Sequence, residues 1–309
     1  MRVVVAIPSM FAPEPWVRAM AAALPESTVS EFADTPDDSA DYAVVWSPDA
    51  MLFSRQQKLK AIFNLGAGVD ALLKLPTLPQ QLPVVRLSDA GMSVQMAEYV
   101  CQAVIRFARE IGVYESEMKE GVWSQRRPPS RREFPVGVMG LGVIGERVAR
   151  ALSVFEYPVY GWSRHAKAIE GVATFYGPLG LDGFLESTRI LVCTLPLTPE
   201  TRGILCRKTL EKLQPNGYLI NVGRGAHLVD HDLVELIASG AMAGAMLDVF
   251  ADEPLAASHP FRDHPTIGLT PHISAVTDRS ESVRQIADKI RRFQAGLPID
   301  GVVERSRGY

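Results

Sequence analysis

The residues Gly140-Leu141-Gly142-Val143-Ile144-Gly145 form a GxGxxG run. Such a run cradles a pyrophosphate when it joins a strand to a helix. Here it follows the apolar stretch Val136-Gly137-Val138-Met139 and opens the helix-like stretch Glu146-Arg147-Val148-Ala149-Arg150-Ala151-Leu152. Gly140 permits the tight turn, Gly142 lets a phosphate approach the backbone, and Gly145 allows close helix–strand packing. Val143 and Ile144 lead into the helix, whose free N–H groups and partial positive charge favour an anion. The next strand-like run, Val159–Trp162, ends in Ser163-Arg164, with no Asp or Glu from Pro158 to Lys167. An acid at this position would hold the ribose diol of NAD and repel a 2′-phosphate. Ser163 offers a hydroxyl and Arg164 a charged fork, and Lys167 adds a second cation. The pattern favours NADPH over NADH, with NADH as the weaker alternative.

Three later segments place polar residues at strand ends, where open α/β sheets put their ligands. They are Asn221-Val222-Gly223-Arg224-Gly225, Asp248-Val249-Phe250-Ala251-Asp252-Glu253-Pro254 and Thr270-Pro271-His272-Ile273-Ser274. Val222, Gly223 and Ser274 are counted among the cofactor-binding residues. Earlier in the chain, Asn64-Leu65-Gly66-Ala67-Gly68-Val69-Asp70 ends another strand with small residues. Their backbone N–H groups are approachable, which suits a carboxylate.

The elements that must position these residues alternate almost throughout, strand with helix, as in βαβ units. The first section reads as strands at Val3–Ile7, Tyr42–Trp46, Ile62–Leu65 and Val84–Leu87. Its helices read as Trp16–Leu24 and one long amphipathic stretch from Val94 to about Lys119. The stretch from Trp123 to Arg132, rich in Pro and Arg, reads as the clearest linker and as a solvated loop. A second series has strands Val136–Met139, Val159–Trp162, Ile190–Thr194, Tyr218–Val222, Ala245–Val249 and Thr266–Leu269, with helices Glu146–Phe155 and Leu233–Ala238. The last helix, Arg279 to Ala295, is expected to pack back on the first section. The expectation is a discontinuous substrate domain, 1–98 and 276–309, interrupted by a cofactor domain, 99–275.

The 309 residues suggest about two domains, with 47% hydrophobic and 22% charged residues. That composition excludes a wholly disordered chain. A net charge of −3 gives no reason to expect nucleic acid or a membrane surface as a partner. Cys101, Cys193 and Cys206 are odd in number, and the first two sit in apolar runs, as in a reduced cytoplasmic protein. The first strand is too short for a membrane span and lacks a signal-peptide cleavage site. His227 and His231 have HxxxH spacing, but Asp230 reads as the N-cap of a helix Asp232–Ser239, which separates them; no metal is expected. The absence of GxSxG and of GKS or GKT disfavours a serine hydrolase and a P-loop NTPase.

With these motifs in place the chain resembles the D-2-hydroxyacid dehydrogenase family, in particular its glyoxylate/hydroxypyruvate reductase A branch. The resemblance spans essentially the whole chain. It rests on Gly66-Ala67-Gly68-Val69-Asp70, the GxGxxG, the order Arg224, Glu253, His272, and the ending Arg305-Ser306-Arg307-Gly308-Tyr309. It implies an α/β fold of two doubly wound parallel-sheet domains, a Rossmann domain inserted in a flavodoxin-like one. It implies Arg224 as carboxylate clamp, Glu253 as partner acid and His272 as proton donor in the reduction of small 2-keto acids. Each role suits its residue. Histidine gives a proton near neutral pH, a carboxylate orients and balances it, and arginine binds an anion bidentately.

The resemblance also puts the substrate carboxylate near Ala67, Gly68 and Val69, and Met96 at the pocket edge. Trp46 reads equally as a cap on that pocket or as a core residue. Leu195, Pro196 and Thr201 would pass over the cofactor, and Asp248 would hold its carboxamide. A homodimer is expected, with the Val94–Lys119 stretch and Trp123 as its arm. The alternatives are an NAD-linked dehydrogenase of a bulkier 2-hydroxy acid, and a dinucleotide-sensing corepressor. The corepressor would need a peptide-binding surface or tails, whereas this chain begins on a strand and ends four residues after Arg305.

Overall fold

The structure is a computed structural model that describes residues 1–306. Arg307, Gly308 and Tyr309 of the C-terminal motif lie outside the described residues. The chain divides into two compact units, Met1–Gly91 with the chain from Thr277 onward, and Met92–Val276. A boundary between 98 and 99 would cut the helix Met92–Ala108, which lies wholly in the second unit.

Among the described residues the first unit holds β1 (Arg2–Ala6), β2 (Thr28–Glu31), β3 (Tyr42–Val45), β4 (Ala61–Asn64) and β5 (Val84–Arg86). They form one parallel sheet in the order β2-β1-β3-β4-β5. This is the flavodoxin-like order. β3 and β4 are buried along their whole length, and both read as apolar runs, β4 up to its last residue, Asn64. β2 is the half-exposed edge strand, and its Thr-Val-Ser-Glu carries no such run; the sequence reading missed it.

The helix Arg279–Gln294 belongs to this unit and is capped by Asp278, whose Oδ1 accepts the Glu281 N–H at 2.7 Å. Its Phe293 ring meets Tyr42 and Phe63 edge-on at 6.0 and 6.4 Å. Its Lys289 is buried, yet its ammonium donates to the Arg86 carbonyl at 2.8 Å and to Ser88 Oγ at 3.2 Å, and sits 3.4 Å from Asp300. Burial pulls this lysine below its ordinary value.

The second unit holds β6 (Val136–Met139), β7 (Val159–Ser163), β8 (Ala173–Tyr176), β9 (Ile190–Cys193), β10 (Gly217–Asn221), β11 (Met242–Leu247) and β12 (Ile267–Leu269). The order is β12-β11-β10-β9-β6-β7-β8, all parallel. This is a Rossmann sheet, and its order reverses between β6 and β9, where such sheets bind ligands. Val136, Val138, Ile190, Val192 and Ile220 of its centre are wholly or nearly wholly buried, packed with Val148 and Leu152 of the helix Val143–Val154. β8 is another edge strand that the sequence reading missed, with no fully buried residue.

The expected long helix is two helices, Met92–Ala108 and Ile111–Lys119. Glu110 stands between them at φ 53°, a left-handed conformation that ends a helix. Arg106 spans the break to Glu115 at 2.6 Å. The Arg-rich stretch is no inter-unit linker either, because it lies inside the second unit. Its Arg126 folds back on Glu117 and lies 5.1 Å from the Tyr114 ring. Asp230 is not an N-cap: the helix runs Asp230–Ala238, with Val229 in the capping position. Burial pushes the Cys193 thiol up to about 12 and that of Cys101 to about 11, so at neutral pH both are uncharged packing groups.

Phe63 is fully buried at the meeting of β4 and the helix Arg279–Gln294. Phe63→Ala is expected to cost the first unit about 3–5 kcal/mol. Denaturant unfolding followed in that unit would show an earlier midpoint, and an unchanged midpoint would contradict the packing described.

Candidate active site

The ends of β6, β9, β10, β11 and β12 lie level. Met139 pairs with Cys193, Cys193 with Asn221, Asn221 with Leu247, and Leu247 with Leu269. Each polar segment singled out in this unit therefore leaves the sheet at one edge.

The glycine loop comes first along the chain. A Cβ on Gly145 would stand 1.8 Å from the Gly140 carbonyl oxygen, so helix and turn touch there with no room for a side chain. Gly140 has φ 109°, which favours glycine. A Cβ on Gly142 would meet no atom of the chain within 4 Å, so the space above it is open. An open approach at the N-terminus of the 12-residue helix Val143–Val154 fits a pyrophosphate. Thr194, not singled out from sequence, donates its hydroxyl to the Gly140 carbonyl at 2.7 Å and fixes the loop to the end of β9.

The second strand end differs in detail from the expectation. Ser163 closes β7, and its hydroxyl donates to the His165 carbonyl at 2.8 Å. Lys167 reaches back to donate to the Leu141 carbonyl in the glycine loop. Arg164 is exposed. It also lies in the field of Glu200, whose carboxyl is held below its usual range, first by the Thr198 hydroxyl and in smaller part by Arg164. The 195–201 loop is a tight turn in which Thr201 Oγ1 donates to the Pro196 carbonyl at 2.7 Å and accepts the Thr198 N–H at 2.8 Å.

Arg224 stands just past β10. Asn221 shapes its loop, accepting the Gly223 N–H at 3.2 Å and donating to the Arg224 carbonyl at 3.1 Å. The guanidinium donates to the Gly223 carbonyl at 2.8 Å and is half-buried. His227 is fully buried beneath it. Its Nδ1 accepts the Arg224 N–H at 3.1 Å, which puts the ring proton on Nε2, 3.3 Å from the Pro196 carbonyl. His227 thus ties the Arg224 loop to the 195–201 loop, a role that its HxxxH spacing did not suggest. Val222 and Gly223 are buried beside it, and a Cβ on Gly223 would crowd the imidazole at 3.1 Å. Among the described residues, no group of three or more His, Cys, Asp and Glu is placed to hold a metal.

His272 and Glu253 come together. His272 Nδ1 is 2.8 Å from Glu253 Oε2, and Glu253 Oε1 accepts the Phe250 N–H at 2.9 Å. Both side chains are partly exposed, at 45% and 36%. A Cβ on Gly225 would stand 1.8 Å from the Phe250 carbonyl carbon, so the Arg224 and Glu253 segments are in backbone contact.

Asp248 is placed otherwise than a free carboxamide ligand would be. It is fully buried, and its carboxylate accepts the Thr270 hydroxyl at 2.6 Å and the N–H groups of Ile273 and Ser274 at 2.8 Å each. Its own carbonyl accepts the His272 N–H at 2.9 Å. Asp248 organises the turn that carries His272.

In the first unit, Asn64 donates its amide to the carbonyls of Gly66 and Gly68 at 3.0 Å each, holding the Gly66–Val69 loop in a fixed curl. Ala67 and Gly68 are partly exposed, whereas Val69 is buried. Trp46 is no core residue. It is 36% exposed, and its ring lies so close on Gly66 that a Cβ there would stand 2.3 Å from it. Met96, expected at a pocket edge, is 7% exposed in the core of the second unit.

A sequence model of the D-isomer specific 2-hydroxyacid dehydrogenase NAD-binding domain matches residues 101–274. The chain belongs to this family. A glyoxylate/hydroxypyruvate reductase A of Escherichia fergusonii is 42% identical over 299 residues, covering 95% of this chain and 96% of that one. An NADPH-dependent glyoxylate/hydroxypyruvate reductase of Sinorhizobium meliloti, solved with NADP and sulfate, is 40% identical with a TM-score of 0.93. It covers 100% of this chain and 99% of its own. A probable 2-hydroxyacid dehydrogenase of Rhizobium etli, solved with NADP, HEPES and tartaric acid, is 37% identical with a TM-score of 0.91, covering 100% and 99%. In this dehydrogenase family member, then, the level strand ends of the second unit carry the glycine loop, the Arg224 loop and the His272–Glu253 pair.

Two of the loop glycines make a contrasting test. Gly145→Ala is expected to lower the melting temperature, because its Cβ would strike backbone. Gly142→Ala is expected to leave melting of the free protein unchanged and to weaken dinucleotide binding about tenfold, or about 1.4 kcal/mol. Equal melting and equal binding in the two variants would overturn the cradle assignment.

Proposed function

We propose that this enzyme reduces small 2-keto acids with NADPH, glyoxylate to glycolate and hydroxypyruvate to glycerate. The observation that carries the reading is the 2.8 Å contact of His272 Nδ1 with Glu253, in a chain whose relatives over nearly its whole length are glyoxylate/hydroxypyruvate reductases. The chemistry that NADPH would supply, when bound, is a hydride for the carbonyl carbon. The glycine loop would hold its pyrophosphate, and Ser163, Arg164 and Lys167 its 2′-phosphate; the absence of a carboxylate on that strand end supports the preference for NADPH.

Glu253 fixes His272 Nδ1, which leaves Nε2 to face the substrate. From there His272 gives a proton to the carbonyl oxygen as the carbon gains its hydrogen. Glu253 orients the ring and balances its charge. Arg224 holds the carboxylate of the keto acid through two parallel N–H···O bonds and draws electron density from the neighbouring carbonyl. In the first unit, the curled loop at Ala67–Val69, on which the Trp46 ring rests at Gly66, is of the kind whose backbone N–H groups bind a carboxylate. We assign the homodimer to the exposed Met118, Val122 and Trp123 at and beyond the end of the helix Ile111–Lys119, an apolar surface of the kind that a second copy would cover. Among the described residues no helix is long and apolar enough to cross a membrane.

Arg224→Lys is expected to cut kcat/KM on glyoxylate by orders of magnitude, because an ammonium replaces the planar fork. The loss should be much smaller for an uncharged aldehyde of similar size. Equal losses on both substrates, with a lowered melting temperature, would reduce Arg224 to a loop brace.

The cofactor preference is tested by Ser163→Asp combined with Arg164→Leu. The loss of one charge-assisted contact is worth about 1.5–3 kcal/mol, so NADPH should weaken roughly ten- to a hundredfold while NADH gains. An unchanged NADPH/NADH ratio in steady-state assays would remove both residues from the assignment.

A further inference from the structure

The segment Thr270–Val276, which carries His272, is held at both ends by one face of the helix Met92–Ala108. Gln95 and Tyr99 are four residues apart and therefore neighbours on that face. The Tyr99 hydroxyl is 2.5 Å from Thr270 Oγ1. A hydroxyl has one proton to give, and that of Thr270 goes to Asp248 Oδ1 at 2.6 Å. Tyr99 is therefore the donor in a chain of three, and Asp248 ends the chain by accepting the N–H groups on the far side of His272. Half-burial pushes the Tyr99 hydroxyl up to about 12, so it keeps its proton across the working range.

Gln95 grips the other end as a strand would. Its Nε2 donates to the Val276 carbonyl at 2.8 Å, and its Oε1 accepts the Val276 N–H at 3.0 Å. His272, between the two grips, has φ 56°. A residue with a side chain holds that left-handed conformation only where its surroundings impose it.

We propose that Tyr99 and Gln95 are positioning residues for the proton donor, holding His272 in its left-handed turn through Thr270–Asp248 at one end and Val276 at the other. This rests on the reading of His272 as the proton donor. The two side chains act through the segment, so their loss should slow proton delivery and leave binding intact.

The test compares Tyr99→Phe, Gln95→Leu, Thr270→Val and Thr270→Ser in the full chain, with NADPH and glyoxylate. Tyr99→Phe and Gln95→Leu are each expected to lower kcat roughly five- to tenfold, with glyoxylate KM and NADPH Kd held within about twofold. The solvent deuterium isotope effect on kcat should rise, because the proton step becomes slower. Thr270→Val should lose at least as much turnover as Tyr99→Phe, because it also removes a donor to Asp248; Thr270→Ser should keep turnover, and Tyr99→Phe with Thr270→Val should be no worse than Thr270→Val alone, since both cut one chain. An unchanged kcat in both Tyr99→Phe and Gln95→Leu overturns the proposal. So does a loss that follows the melting temperature with KM and Kd rising in step and no change in isotope effect. His272→Ala separates the two readings. If it loses turnover while Tyr99→Phe and Gln95→Leu do not, only the positioning claim fails; if it keeps turnover, the proton-donor reading fails and the proposal falls with it.

Discussion

A carboxylate taken out of water must be surrounded by donors, and the donors around Asp248 all come from one short turn. The Thr270 hydroxyl and the N–H groups of Ile273 and Ser274 converge on it, and its own carbonyl takes the His272 N–H. Leaving any of them unpaired would cost about 1–3 kcal/mol. The turn can therefore adopt few shapes, and the shape that satisfies Asp248 puts His272 at a positive φ, outward from the sheet and against Glu253. The exposed chemistry depends on a buried charge that does not itself react.

The parallel sheet does the rest of the alignment. Its register brings the ends of β6, β9, β10, β11 and β12 to one level, so side chains more than a hundred residues apart start from a common edge. Fine placement comes from small contacts between the loops. Thr194 fastens the glycine loop, His227 joins the Arg224 loop to the 195–201 loop, and Gly225 lets the Arg224 and Glu253 segments touch through backbone.

Much of this was legible in the sequence. Central strands such as β6 and β9 are buried on both faces and announce themselves as apolar runs. The glycine loop and the order Arg224, Glu253, His272 marked the chemistry. The edge strands β2 and β8 were not legible, because a half-exposed strand needs no apolar run. Periodicity also ran through Glu110, since a single left-handed residue shifts the chain without disturbing composition. Tyr99, Thr194 and His227 were missed because each acts by hydrogen bonds that reach a segment distant in sequence, which leaves no spacing signal. Met96 was placed at a pocket edge by the resemblance, yet its side chain lies in the core, where a flexible thioether packs well.

The Trp46 ring rests on bare backbone at Gly66, with no gap for even a methyl group. Indole and missing side chain therefore make one shape, in which the bulk at one position is the emptiness at the other. Any side chain at 66 has to take its volume from 46, and a smaller ring at 46 leaves a hollow that 66 can fill. A path through sequence space that reshapes this corner runs diagonally, with the two positions changing together, and single steps along either axis meet a clash or a void.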